Sequence, residues 1–168
     1  DVVDCLNKMC AGISGAGTRR ITIEGVTKLT GARHTVLPDR IETGTYAMAV
    51  AMAGGDIVLQ NTRADLLQAA LDVLATTGVV VTPTNQGIRI ARNGAGLAPV
   101  DVTTAPFPGF PTDLQAQLMA LMTRAQGTSR IVETIFENRF MHVQELARLG
   151  ARISLDGERA TIEGVERL

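Results

Sequence analysis

The sequence is poor in the residues that build nucleic-acid and membrane-binding surfaces. It has no Trp, only 3% aromatic residues, and 16 basic against 17 acidic residues, for a formal net charge of -1. Without excess positive charge or aromatic stacking groups, neither nucleic acid nor an anionic membrane is an expected partner. The longest apolar run, residues 46–53, is far shorter than the roughly 20 residues needed to span a bilayer.

Cysteine is scarce as well. Cys5 and Cys10 lie on one predicted helix but point in different directions, which favours two small buried side chains over a disulfide or a zinc site. No charged-then-apolar signal segment opens the sequence, so we expect a cytoplasmic protein. The glycines fit neither the phosphate-loop nor the dinucleotide-binding pattern, and we expect no cofactor.

The most distinctive feature that is present is an internal repeat. The chain of 168 residues, 45% hydrophobic and 20% charged, is long enough for a globular fold with a core. The pentapeptide Thr-Ile-Glu-Gly-Val at residues 22–26 returns unchanged at residues 161–165, and Ile-Arg-Ile at residues 88–90 occupies the same place in a degenerate middle copy. The repeat therefore predicts stacked, pseudo-symmetric copies of one structural unit.

The predicted unit is β-α-β-α-β-β, which places the protein in the α/β class. Three helices are expected at residues 2–10, 65–76 and 140–149. Strand pairs should follow them at residue 13 and 20–24, at 79–82 and 87–91, and at 151–155 and 160–163. The copy at the N-terminus begins half-way through its unit, and the sequence stops where a new copy is due. This register predicts an internal fragment of a longer polypeptide.

A second pair of helices is predicted to start at Pro-Asp-Arg-Ile-Glu (residues 38–42) and at Pro-Thr-Asp-Leu-Gln (residues 111–115), and to end near residues 53 and 125. Strands should follow at residues 56–60 and 129–134. Asp39 with Glu42 and Thr112 with Gln115 form predicted capping boxes. One apolar stripe should bury the second helix: Leu114, Leu118, Leu121, Met122 and Ala125.

Gly44 is unusual in the interior of the first of these helices, where glycine costs roughly 1 kcal/mol relative to alanine. Close approach of a ligand could explain it. Packing against the twin helix explains it better, and Asp39, Arg40 and Glu42 have an ordinary role as a cap and a surface pair.

Asp113 is the main candidate site residue. It falls in the first turn of a predicted helix, behind the stiff approach of residues 107–111. A helix N-terminus favours an ionised carboxylate, the form that accepts a proton from a hydroxyl group. Acidic residues are also common there simply because they complement the helix dipole, and the residues alone favour this second interpretation.

Four further charged residues surround a predicted strand-to-helix turn: Glu133, Glu137, Arg139 and His142. Their pattern predicts a solvated turn with one ion pair and a histidine at a helix start. His142 and Glu145 have helical i,i+3 spacing, but no further ligand accompanies them, so we expect no metal site.

Three segments carry a resemblance to a known family: residues 37–44, LPDRIETG; residues 110–117, FPTDLQAQ; and residues 136–142, FENRFMH. With them, essentially the whole sequence resembles the bacterial UDP-N-acetylglucosamine 1-carboxyvinyltransferases of the enolpyruvyl transferase family. The sister branch that acts on shikimate phosphate shares the architecture but not these strings. That branch, and a non-catalytic module that keeps the repeat fold as a scaffold, remain alternatives.

The resemblance implies a two-domain inside-out α/β barrel that is incomplete in this chain. Residues 1–37 would be the tail of one domain with the inter-domain linker, and residues 38–168 about two repeat units of the other. The implied reaction joins the 3-hydroxyl of UDP-N-acetylglucosamine to C2 of phosphoenolpyruvate and then eliminates phosphate. Asp113 would be the general base, the backbone of Ile135 would contact the UDP-sugar, and Arg139 would hold charge at the domain interface.

The resemblance also implies that part of the active site lies outside this sequence. The family's Lys-Asn pair, its reactive loop cysteine and its substrate-clamping arginines have no counterpart here, and neither Cys5 nor Cys10 has the context of the loop cysteine. The remainder of the same polypeptide is therefore an expected partner, and we expect the isolated chain to be inactive.

Overall fold

The computed structural model of the protein describes all residues from 1 to 168. The chain divides into two compact units, Asp1–Leu37 and Pro38–Leu168. Their assignment to two domains of one enzyme stays a prediction.

The first unit is one helix followed by a hairpin. Helix α1 (Val2–Lys8) precedes strands β1 (Gly12–Ser14) and β2 (Thr22–Glu24), which pair antiparallel. No residue of this unit is buried. The predicted helix and second strand are present but shorter, and the strand predicted at residue 13 extends over Gly12–Ser14. The expectation of two buried cysteines is wrong, because Cys5 is half-buried and Cys10 lies exposed beyond the end of α1.

The second unit contains two copies of the repeat. The first copy comprises α2 (Arg40–Ala53), β3 (Gly55–Gln60), α3 (Gln68–Thr76), β4 (Val80–Thr84) and β5 (Gly87–Arg92). The second copy comprises β6 (Asp101–Thr103), α4 (Gln115–Met122), β7 (Thr128–Val132), α5 (His142–Arg148), β8 (Arg152–Asp156) and β9 (Arg159–Glu163). Short 3-10 turns at Ala64–Leu66 and Thr112–Leu114 precede α3 and α4.

The sheets confirm the repeat. In the second copy the strand order is β6-β7-β9-β8, with β6 parallel to β7 and the other pairs antiparallel. The first copy has the corresponding order β3-β5-β4 without a counterpart of β6. The residues that directly follow β3 and β7 make the same backbone hydrogen bond. Asn61 N–H donates to the Gln86 carbonyl at 2.9 Å, and Glu133 N–H donates to the Glu158 carbonyl at 2.8 Å. The predicted α/β class and its β-α-β-α-β-β unit are therefore confirmed.

Helix α4 forms the centre of the core. All five residues of the predicted stripe are buried, and Gln115 and Met119 on other faces are buried as well. The helix is therefore covered on nearly every side rather than on one. It ends at Met122, before the predicted residue 125, where the Thr123 hydroxyl donates to the Ala120 carbonyl. None of the helices has the length and the apolar composition needed to cross a membrane.

The two predicted capping boxes have different outcomes. The Asp39 carboxylate accepts hydrogen bonds from the backbone N–H groups of Ile41 and Glu42 at 2.7 and 3.3 Å, so the Asp39 half of the first box is confirmed. The Glu42 side chain makes no reciprocal bond to the Asp39 N–H. The second box is wrong. The Thr112 hydroxyl donates instead to the Glu133 carboxylate, and the Gln115 side chain is buried with no partner for its Nε2.

Several predicted boundaries differ from those of the structure. Helix α5 begins at His142 rather than at residue 140, and the helix predicted from residue 65 begins as a 3-10 turn. The strand predicted at residues 129–134 ends at Val132. Ends of elements are set by tertiary contacts and are the least predictable part of a helix or strand.

Gly44 marks the contact between α2 and the start of α4, as the sequence predicted. A Cβ atom at this position would lie 2.4 Å from Leu114 Cδ1 and 2.9 Å from Cδ2, and Leu114 is fully buried.

Gly44→Ala is therefore expected to destabilise the protein. The gain of about 1 kcal/mol in helix propensity is outweighed by overpacking of about 1–3 kcal/mol. Urea unfolding of the full-length protein should show the lower midpoint. In a Leu114→Ala background the same substitution should lose its cost, because the clashing atoms are gone. An equal loss in both backgrounds would mean that Leu114 is not the obstacle.

Candidate functional site

Asp113 and Arg139 meet in the second copy. Asp113 lies in the 3-10 turn before α4, and Arg139 lies between β7 and α5. Arg139 Nη2 donates to Asp113 Oδ1 at 2.7 Å, with side chains 36% and 50% exposed respectively. A half-exposed ion pair contributes only about 0–1 kcal/mol to stability. The pair therefore serves mainly to orient the two groups.

The predicted interpretation of Asp113 as a partner of the helix dipole is thus incomplete. Its carboxylate has a specific cationic partner, and it belongs to a 3-10 turn rather than to the first turn of an α-helix. The ion pair predicted within the turn is absent, because Arg139 pairs with Asp113 rather than with Glu133 or Glu137.

Ile135 lies in the chain segment between β7 and Arg139. It is half-buried, and its backbone N–H donates to Glu133 Oε1 at 2.9 Å. The Phe136 N–H donates to the same oxygen at 3.2 Å. The backbone at residues 135 and 136 is therefore held from within the protein.

Glu133 is the polar residue that the sequence interpretation misjudged. It is 2% exposed, so its prediction as part of a solvated turn is wrong. Its carboxylate accepts four hydrogen bonds: two from the N–H groups of Ile135 and Phe136, one from the Thr104 hydroxyl at 2.9 Å and one from the Thr112 hydroxyl at 2.7 Å. Two of these donors are far away in sequence, so no local pattern could have revealed the network.

The ionisation of Glu133 follows from this network. Desolvation raises the pKa of the carboxyl group, but the hydrogen bonds from Thr112, Ile135, Thr104 and Phe136 together outweigh it and hold the pKa below its ordinary value. Glu133 is thus a buried carboxylate whose charge is stabilised by donors rather than by a cation.

Glu133→Gln is expected to remove a pH-dependent part of the folding stability. Because the folded-state pKa lies below the ordinary 4.5, the carboxylate stabilises the fold above about pH 4.5. That contribution is lost as the pH falls through the folded-state pKa, since the unfolded state then binds the proton more readily. Urea midpoints of the wild type and the variant should differ near pH 7, and the difference should shrink as the pH falls below about 4.5. A constant difference across this range would contradict the argument.

An open cavity of about 290 Å³ borders the cluster. Its lining includes Glu133, Phe136, Asn138 and Arg139. The Arg139 guanidinium lies 5.2 Å from the centre of the exposed Phe136 ring, a cation–π contact that helps to orient it. Arg139 therefore stands between the Asp113 carboxylate and an aromatic face.

His142 begins α5, as predicted, and does not take part in the Asp113 pair. Desolvation and, secondly, the charge of Arg139 lower the pKa of His142. Glu145 pairs with Arg148 at 3.1 Å rather than with the histidine. No group of three or more His, Cys, Asp or Glu side chains is placed to hold a metal ion.

The twin helix start lacks a counterpart of Asp113. Counted from Pro38 and Pro111, the equivalent position is Arg40. Its guanidinium lies 5.8 Å from the ring centre of Phe107, within the approach to the second helix. The exposed carboxylate is therefore a feature of the second copy and not of the repeat in general.

Comparison with known proteins places this geometry in context. Residues 1–168 match the family described as EPSP synthase (3-phosphoshikimate 1-carboxyvinyltransferase). The UDP-N-acetylglucosamine 1-carboxyvinyltransferase of Rhodopseudomonas palustris (strain TIE-1) is 78% identical over all 168 residues. Its counterpart from Nitrobacter winogradskyi is 77% identical over the same length. The chain spans 39% of the length of each of these relatives.

Solved structures agree on the fold. The enolpyruvyl transferase NikO from Streptomyces tendae aligns with a TM-score of 0.85 at 28% identity, covering 98% of this chain and 39% of its own. An EPSP synthase from Acinetobacter baumannii aligns with a TM-score of 0.58 at 15% identity, covering 99% and 39%. At that identity the second likeness concerns the fold alone.

Proposed function

Because the chain belongs to the EPSP synthase family over all of residues 1–168, we propose that it is part of an enolpyruvyl transferase acting on UDP-N-acetylglucosamine. The full-length protein would transfer the enolpyruvyl group of phosphoenolpyruvate to the sugar 3-hydroxyl and release phosphate. The observation that carries the proposal is the Asp113 carboxylate, which is bonded to Arg139 and is joined through Thr112 and Glu133 to the backbone of Ile135. The acceptor is taken from the names of relatives 77–78% identical to this chain.

The chemistry assigns Asp113 the role of general base. As the hydroxyl oxygen bonds to C2 of phosphoenolpyruvate, the hydroxyl proton passes to the Asp113 carboxylate, and C3 takes a proton from an acid on the remainder of the polypeptide. Loss of phosphate and of one C3 proton then restores the double bond. A positioned carboxylate contributes typically about 10²–10⁴-fold to such a proton transfer. Arg139 holds the carboxylate in place, and the Ile135 backbone contacts the UDP-sugar.

Binding of phosphoenolpyruvate needs more than these residues supply. Its phosphate and carboxylate groups call for several convergent cations, and only Arg139 stands beside Asp113 in the cluster described above. We therefore assign phosphoenolpyruvate binding largely to the remainder of the polypeptide. The 168-residue chain by itself should show no steady turnover.

Phosphate release from phosphoenolpyruvate by the full-length protein tests the proposal. Release should depend on UDP-N-acetylglucosamine and should be absent for the 168-residue chain. Turnover with shikimate 3-phosphate in its place would assign the protein to the other branch of the family. Turnover with neither acceptor would favour a non-catalytic scaffold.

The proposed reaction also gives the protein a cellular role. Transfer to UDP-N-acetylglucosamine is the first committed step of peptidoglycan synthesis, and the protein would act in the cytoplasm. Through cell-wall biogenesis it would then bear on cell shape, the cell cycle and division.

A further inference from the structure

We infer that Glu133 is a positioning residue of the acceptor site, a buried link that sets the separation between the Asp113 turn and the Ile135 backbone. The inference rests on the proposed function, because both linked segments carry residues that the proposal uses. Glu133 itself is buried and is not expected to touch substrate.

The two carboxylate oxygens serve different segments. Oε2 accepts from the hydroxyl of Thr112, the residue immediately before Asp113, at 2.7 Å. Oε1 accepts from the N–H groups of Ile135 and Phe136 and from the Thr104 hydroxyl. One rigid group therefore ties the base-bearing turn to the backbone proposed to bind the sugar nucleotide.

The fold does not require this link, as the twin copy demonstrates. Asn61 follows β3 as Glu133 follows β7, and it makes the same backbone hydrogen bond to the following hairpin. Asn61 is exposed and its side chain makes no hydrogen bond within the protein. The twin helix start is capped by Asp39 instead. The buried carboxylate thus occurs only in the copy that carries Asp113.

A carboxylate suits the task because it is acceptor-only and can serve both segments at once. Glutamine would keep the Oε1 acceptor for the two N–H groups, and its amide would donate to the Thr112 hydroxyl. Alanine would release both segments. Valine at Thr112 would release the Asp113 turn and leave the Ile135 side held.

The variants should therefore differ from one another in kcat and in KM when measured in the full-length protein. Glu133→Ala should lower kcat about 10- to 100-fold and raise KM for UDP-N-acetylglucosamine, since both segments move. Thr112→Val should lower kcat with little change in that KM, and Glu133→Gln should retain intermediate activity. Adding Thr112→Val to Glu133→Ala should have no further effect, because the bond it removes is already lost.

Thr77→Val provides the matched control. Thr77 is fully buried, and its hydroxyl donates to the Leu74 carbonyl at 2.6 Å, away from the cluster. It should lower the urea midpoint of unfolding about as much as Thr112→Val does, without a change in kcat or KM. If folded Glu133 and Thr112 variants keep the kinetics of this control, the inference is overturned. Should Glu133→Ala fail to fold, Glu133→Gln and Thr112→Val decide the matter.

Amide hydrogen exchange separates this inference from the proposed function. The N–H groups of Ile135 and Phe136 should exchange faster in Glu133→Ala than in the wild type, and at wild-type rates in Thr112→Val. A wild type without turnover would reject the proposed function, while unchanged exchange in Glu133→Ala would reject the link itself. Wild-type turnover with control-like variants would reject only the positioning role.

Discussion

Asp113→Asn is expected to lower kcat of the full-length protein by about 10²–10⁴-fold, the range for loss of a general base. Asparagine has nearly the same shape and can still accept a hydrogen bond from Arg139, but it cannot take up the hydroxyl proton. KM for UDP-N-acetylglucosamine should change little, because the side chain keeps its volume and its orienting bond. Steady-state phosphate release and isothermal titration with the sugar nucleotide would measure the two effects.

Asp56→Asn is the matched control for this experiment. Asp56 pairs with Arg89 at 2.6 Å and is 50% exposed, the same as Asp113, but it lies on β3, outside the cluster. The control should keep wild-type kcat. Full turnover by Asp113→Asn would remove the base from the mechanism and favour the scaffold alternative.

Gly164→Ala is expected to be the most destabilising single-methyl change in the second copy. A Cβ atom there would lie 1.6 Å from the carbonyl oxygen of Ala125, just beyond α4. Neither backbone can retreat easily, because Gly164 N–H donates to the Gly127 carbonyl at 2.9 Å and Val165 N–H to the Thr123 carbonyl at 2.7 Å. We expect a loss of about 3 kcal/mol or more, measured by urea unfolding or as insoluble expression.

Gly25→Ala offers a comparison within the repeat itself. Gly25 stands at the same place in the identical pentapeptide, yet no atom lies within 4 Å of a Cβ built on it. In the 168-residue chain the substitution should therefore be tolerated. Equal damage at Gly25 and Gly164 would show that the pentapeptide, rather than the contact with Ala125, demands glycine.

Much of the fold was predictable because it depends on periodic signals within short segments. Alternation and helical spacing located the strands and helices of both copies, and Gly44 correctly indicated close packing of α2 on the start of α4. The Thr112 cap failed because Thr112 lies inside the 3-10 turn rather than at its cap position, and its hydroxyl donates to an acceptor that the local sequence does not contain. That acceptor, the Glu133 carboxylate, lies 21 residues further along the chain.

The identity of the site residues was predictable, but their contacts were not. The family resemblance pointed to Asp113, Ile135 and Arg139, whose roles remain predictions, and the residues alone could not say that two of them meet. The Asp113–Arg139 pair spans 26 residues, so no local pattern reveals it. Glu133 looked like one more surface charge because burial has no local signature in a charged turn.

The repeated pentapeptide shows which features the sequence determines and which the tertiary structure determines. The sequence by itself determined the repeat unit, its order of strands and helices, and the family. The tertiary structure alone decided which residues of each copy are buried and which partners they have. Ile162 is fully buried where the second copy packs around α4, whereas Ile23, in the same five letters, is 69% exposed in a unit with no buried residue. The reason is physical: burial and hydrogen-bond partners are properties of neighbours, and the same local sequence takes different ones in different surroundings.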